Sequence, residues 1–247
     1  MNIQHFFGAL LLASAVAGSL EAEISIIVPG EHADVEAPGG IREYGGGGPG
    51  VLNGYRLQGI FDASVFEALP ASQRQLTGFF ARPDGVLGRA NSVSWPNFVL
   101  TMSTTTISPG EMGNEFAANH GADATIVYEG PITFTTENTG PAGGPKDFDI
   151  AFDFQIPFHY NPAEGNLVMD WFVEGPAGWV GDDRIDSGLG TTAWILNENR
   201  NSPIASQSFF GNTPVWKFAF VPEPSSHILL ALGLSGLLCV NRVGLLK

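Results

Sequence analysis

Asp147-Phe148-Asp149-Ile150-Ala151-Phe152-Asp153-Phe154 is the stretch whose reading decides the fold class. Phe148, Ile150, Phe152 and Phe154 fall on every second position, with Asp147, Asp149 and Asp153 between them. Successive side chains of a strand point to opposite faces, so this spacing gives one apolar and one acidic face. Wound as a helix, the same residues would scatter phenylalanines and aspartates around every side. The stretch predicts a half-buried β-strand.

Outward from it the same period of two recurs. Phe98-Leu100-Met102 sits in a Thr-rich stretch, followed by Ile126-Tyr128 with Thr125 and Val127, and by Ile132-Phe134. Leu167-Met169-Trp171-Val173, Ala193-Ile195 alongside Trp194-Leu196, and Trp216-Phe218-Phe220 continue the pattern. Turn clusters separate these runs: Gly140 to Pro145, Asn161 to Asn166, and Gly211 to Pro214. Helix is expected at two short places only, Val65–Leu76 and Glu111–Asn119. Many strands without alternating helices predict an all-β fold, a two-sheet antiparallel β-sandwich of jelly-roll-like kind. The core is one domain over 51–220, with no composition break and no fixed-period repeat. Residues 23–50 form a first strand around Ile24-Ser25-Ile26-Ile27-Val28 and then a loop-like linker ending in Gly45-Gly46-Gly47-Gly48-Pro49-Gly50.

Composition narrows the function classes. Apolar residues make up 44% and charged residues 15%, too apolar a mixture for a disordered chain. The net charge of −14 repels phosphate backbones, which argues against a nucleic-acid partner. The single cysteine, Cys239, lies within a C-terminal apolar run, so the core has no disulfide, no thiolate nucleophile and no thiolate metal site.

Catalytic signatures are sparse. His32, His120 and His159 are scattered, no Gly-x-Ser-x-Gly elbow occurs, and no zinc spacing such as His-Glu-x-x-His is present. No catalytic residue is assigned, and His159 reads as a structural or surface histidine. The carboxylate candidates for glycosidic hydrolysis or Ca2+ are Asp147, Asp149 and Asp153, which read as the solvent face of a strand, and Asp182, Asp183 and Asp186 in a turn-rich stretch, which are the candidate Ca2+ ligands. Trp95, Trp171, Trp194 and Trp216 sit in strand patterns and read as core. Trp179, between Gly178 and Val180, is the candidate sugar-stacking residue.

The two ends carry the localisation. Residues 1–22 read as a signal peptide, with an apolar stretch from Phe6 to Leu20 and small-residue cleavage positions after it. Near the other end stand Val221-Pro222-Glu223-Pro224-Ser225-Ser226, then the apolar run Ile228 to Val240, then Arg242 and Lys247. The two prolines forbid helix at the motif. The 13-residue run alone would reach about 20 Å as a helix, short of a ~30 Å hydrocarbon core. Extended from Ser225 through Leu246 it reaches about 33 Å, with Arg242 and Lys247 snorkelling. Basic residues only on its C-terminal side put the C-terminus in the cytoplasm and the core outside.

Pro-Glu-Pro, a short Leu- and Gly-rich apolar helix and terminal basic residues together resemble the PEP-CTERM sorting tail of exported bacterial proteins. The resemblance covers about a tenth of the chain and departs from the family pattern in its dilute basic end. It implies recognition of Pro222, Glu223 and Pro224 by an exosortase-like membrane protease, a transmembrane helix over Ile228–Val240, and Arg242 in place of the basic cluster. Phe158 to Pro162 with Gly165-Asn166-Leu167, and Tyr55-Arg56-Leu57-Gln58, resemble stretches of the β-rich cores in that family, which implies a shared sandwich and no particular activity. The expected partners are signal peptidase and the secretion machinery, the exosortase-like protease, the membrane and extracellular polysaccharide. The expected role is that of a non-enzymatic envelope or extracellular-matrix protein, membrane-anchored or released at the cell surface. The alternatives are a secreted carbohydrate-binding module and, behind it, a secreted polysaccharide hydrolase, which needs two carboxylates across a cleft.

Overall fold

A computed structural model describes residues 23–41, 54–174 and 185–222. Among the described residues eleven strands follow one another: β1 (Ile24–Val28), β2 (Gly39–Ile41), β3 (Gly54–Phe61), β4 (Gln75–Ala81), β5 (Asn91–Thr105), β6 (Thr125–Thr136), β7 (Ile150–His159), β8 (Asn166–Glu174), β9 (Ile185–Asn197), β10 (Gln207–Pro214) and β11 (Trp216–Val221). They form two antiparallel sheets packed as a sandwich. The smaller runs β1-β11-β4-β7, and the larger runs β10-β9-β3-β8-β5-β6, with β2 added against β9.

The alternating runs supply the inner faces. Phe79, Phe152, Phe218 and Phe220 from one sheet meet Leu57, Leu100, Met169 and Trp171 from the other, all buried. The Phe152 ring stacks on Phe79 at 4.3 Å within its own sheet and lies 5.7 Å from Trp171 across the core, nearly parallel to it. Burying one such ring stabilises the fold by about 2–3 kcal/mol. Trp95, Trp171, Trp194 and Trp216 are all core residues. Gly59 on β3 leaves room for Trp194: a Cβ there would stand 2.5 Å from the indole.

Several expectations change in the fold. Strand β7 begins at Ile150, three residues later than the pattern suggests, because Asp149 instead takes the Glu137 amide at 2.8 Å and Asp147 the Thr139 hydroxyl at 2.7 Å. Phe148 therefore leaves the inner row and lies near the Arg82 guanidinium and the Lys217 ammonium. Neither expected helix forms. Between Val65 and Leu76 only a 3-10 turn at Ala63–Phe66 appears; Pro70 interrupts the segment, and Leu76 is drawn into β4 and the core. Between Glu111 and Asn119 the chain makes two short 3-10 turns, because the Asn119 side chain closes on the backbone of Gly113 instead of continuing a helix.

The first strand and its linker also differ from expectation. β1 pairs with β11 along its whole length and belongs to the sandwich. Part of the supposed linker, Gly39–Ile41, is β2, paired with Ile185–Ser187. The Gly-rich run 45–50 lies outside the described residues.

Candidate functional site

The outer face of the larger sheet is not left to solvent where β3 and β8 run side by side. Alternate residues of β3 and β8, Arg56, Gln58, Val168 and Asp170, should point to water in a half-buried sheet, yet Gln58, Val168 and Asp170 are buried. They are covered by a strap, residues 106–124, which links β5 to β6. The strap is pinned at its flank to the loop before β10: the Phe116 amide donates to the Pro203 carbonyl at 3.1 Å, and the Ala205 amide to Asn114 at 2.7 Å. Its anchor is Phe116, fully buried, with the Arg56 guanidinium 4.5 Å from the ring centre.

Under the strap lies a polar cluster centred on Asp170. Arg56 donates twice, Nε to Oδ1 at 3.0 Å and Nη2 to Oδ2 at 2.7 Å. Gln58 Nε2 donates to Oδ2 at 2.8 Å and to the Phe116 carbonyl at 2.9 Å. His120, on the strap, brings Nε2 to 2.8 Å from the same Oδ2. Its Nδ1 lies 2.8 Å from the Ser103 hydroxyl on β5. Asn119 completes the cluster by donating to Gln58 Oε1 at 2.9 Å.

The carboxylate decides which ring nitrogen of His120 must carry a proton. With Asp170 accepting at Nε2, that nitrogen is a donor. The 3.1 Å approach of Gln58 Nε2 to His120 Nε2 is then a contact between two donors that share Oδ2. Burial pushes the Asp170 carboxyl up, but hydrogen bonds from His120 and Arg56, and the positive charge of both, together outweigh it and hold the group below the usual carboxylate range.

Ser103, His120 and Asp170 are the side chains of a nucleophile, a base and an orienting acid. Exposure separates this arrangement from a working triad. Ser103 has no solvent-accessible surface, and the Asp170 side chain has 3%. A substrate carbonyl has no path to the Ser103 oxygen while the strap is seated. The arrangement acts as a clasp: one carboxylate, saturated by four donated hydrogen bonds, ties the strap to the sheet.

The residues singled out from the sequence go elsewhere. Asp147 and Asp149 hold loop amides and hydroxyls, as above, and Asp153 is exposed on β7. His159 is exposed, with Nδ1 3.3 Å from Gln75 Nε2. Asp186 lies on β9 opposite Gly40. Asp182, Asp183 and Trp179 lie outside the described residues, as do the signal peptide, Glu223, Pro224, Arg242 and the apolar run Ile228–Val240. Among the described residues no group of three or more His, Cys, Asp or Glu is placed to hold a metal ion, and no helix is long and apolar enough to cross a membrane.

The sequence did carry a signal for the clasp. Leu167-Val168-Met169-Asp170-Trp171-Phe172-Val173 is apolar on both faces apart from one acid, the mark of a strand covered on both sides. An aspartate inside such a run must be buried and paired. His120, which bonds it, and Ser103, which bonds His120, had no local mark. Compared with known proteins, the chain matches no family model, no curated protein and no solved structure.

Proposed function

We propose that this chain is an exported envelope or extracellular-matrix protein whose β-sandwich is a non-enzymatic body, sorted by a PEP-CTERM-like tail. The observation that carries the reading is Pro222-Glu223-Pro224 followed by the apolar run Ile228–Val240 and Arg242, with a signal-peptide-like segment at the other end. The motif starts where β11 stops, at Val221, so the sorting residues follow directly on the last strand of the body. On this reading signal peptidase removes residues 1–22, the C-terminal helix holds the chain in the membrane, and an exosortase-like protease acts near Glu223.

The body carries no catalytic step in this proposal. The enclosed Ser103 supports that, and so does the use of Asp147 and Asp149 in loop hydrogen bonds. The winding is read as jelly-roll-like, with β1-β11-β4-β7 facing β3-β8-β5-β6 and the β9–β10 hairpin added at one side. A polysaccharide partner would have to be met without Trp95, Trp171, Trp194 and Trp216, which are committed to the core.

Fractionation of the native cells tests the sorting. The full chain should sit with the membrane or cell surface, and a chain lacking residues 223–247 should be shed in soluble form. Membrane retention of the shortened chain, or recovery of the intact chain from the cytosol, overturns the proposal.

A further inference from the structure

Among the described residues, strand β10 has a neighbour on one side only. It pairs with β9, and among the described residues nothing pairs with its other edge. A free edge presents a row of main-chain donors and acceptors, which soluble proteins usually guard with charge, proline or a covering segment. The edges at the far side of the sandwich are guarded in this way. β6 carries Glu129, Gly130 and Pro131, β7 carries Asp153 and Pro157, and the Gln155 side chain bonds both the amide and the carbonyl of Glu129 at 3.1 Å.

β10 has no such defence over its first half. From Asn201 to Trp216 not one residue carries a charge, in a chain whose net charge is −14. Two copies of so acidic a protein repel over most approaches, and this edge is where they can meet without opposed carboxylates. Phe209 and Phe210 follow one another on it, 47% and 67% exposed, on opposite faces of the strand. Phe209 stands across from Trp194 and Phe210 across from Ala193.

Beside Phe210 the outer face of the sheet is hollow. A groove of about 420 Å3 lies between β9–β10 and the start of the strap, lined by Pro109, Met112, Ala193, Ile195, Ser208 and Phe210 among others. The occupant can be argued from register. In an antiparallel pair of identical strands with Phe209 opposite its symmetry mate, Phe210 of one copy falls opposite Ser208 of the other. Both lie on the outer face, and Ser208 lines the groove. Each copy then offers an exposed phenyl ring to the other's hollow. Gly211, at φ +82°, marks a register break between Phe210 and Asn212, which ends the straight pairing run after Phe210. A two-fold contact of this kind closes on itself and stops at a dimer.

We propose that the free edge of β10 docks a second copy of this chain, in antiparallel register about Phe209, with each Phe210 seated in the partner's groove. The test uses the full chain in detergent micelles. Sedimentation equilibrium should show a dimer, and Phe210→Lys or Ser208→Lys should weaken it by at least about tenfold. Both side chains are exposed, so each variant should keep the parent's far-UV circular dichroism spectrum and unfold at the midpoint the parent shows when diluted to monomer. In a Cys239→Ser background, Phe209→Cys should form an interchain disulfide on mild oxidation, whereas Ile156→Cys, exposed on β7, should not. The proposal is overturned by a monomer across the micromolar to millimolar range. A dimer insensitive to both lysines, or equal crosslinking at positions 156 and 209, overturns it as well by placing the contact in another part of the chain.

Discussion

The imidazole of His120 lies 2.8 Å from the carboxylate of Asp170, which joins a strap residue to a strand 50 positions further along the chain. The contact holds the cover over β3 and β8 on the outer face of the larger sheet, and four predictions follow from it and from the core beneath.

Removing the carboxylate charge should loosen the strap. Asp170→Asn leaves Arg56 and Gln58 facing a weaker acceptor and should cost about 3 kcal/mol in urea unfolding at neutral pH. Amide exchange within residues 106–124 should rise before exchange in β3 or β8. Equal protection of the strap in variant and parent would show that Asp170 does not hold it.

The same pair gives a pH dependence with a definite sign. The folded carboxyl of Asp170 is held below its ordinary value of 3.8. Its contribution to stability is therefore complete above that ordinary value and is lost as pH falls through the lower, folded one. The stability gap between the parent and Asp170→Asn should be full at neutral pH and shrink on acidification below 3.8. A gap that widens in acid contradicts the geometry.

Ser103 should be inert. A serine enclosed under the strap cannot meet an electrophile, so a fluorophosphonate probe should leave it unlabelled in the folded protein. Ser103→Ala should cost about 1 kcal/mol of stability through the lost bond to His120. Stoichiometric labelling at Ser103 would turn the clasp into an active site.

The interior predictions concern fit. Gly59→Ala would drive a methyl group into the Trp194 indole, which must shift, at a cost of about 1–3 kcal/mol. A changed near-UV circular dichroism spectrum, with little change in the far-UV, is the expected signature. Phe152→Ala should cost more, about 3–5 kcal/mol, since the ring is packed between Phe79 and Trp171. Thermal unfolding of the two variants should rank them in that order.

Sequence alone determined what depends on local pattern. Alternation through Phe98-Leu100-Met102, Leu167-Met169-Trp171-Val173 and Trp216-Phe218-Phe220 marked the strands and their inward faces, because a strand's side-chain period is a local property of the backbone. It also placed the four described tryptophans in the core. Only the tertiary structure decided that Phe148 turns away from its row, since that depends on Asp149 finding the Glu137 amide across a loop. The clasp lay equally out of reach. Arg56, Ser103, His120 and Asp170 are far apart along the chain, and no pattern of short period records which strap crosses which sheet. The free edge of β10 follows the same rule: its neutral, aromatic run can be read directly, but that nothing described pairs with it is a property of sheet order. Sheet order is set by long-range packing.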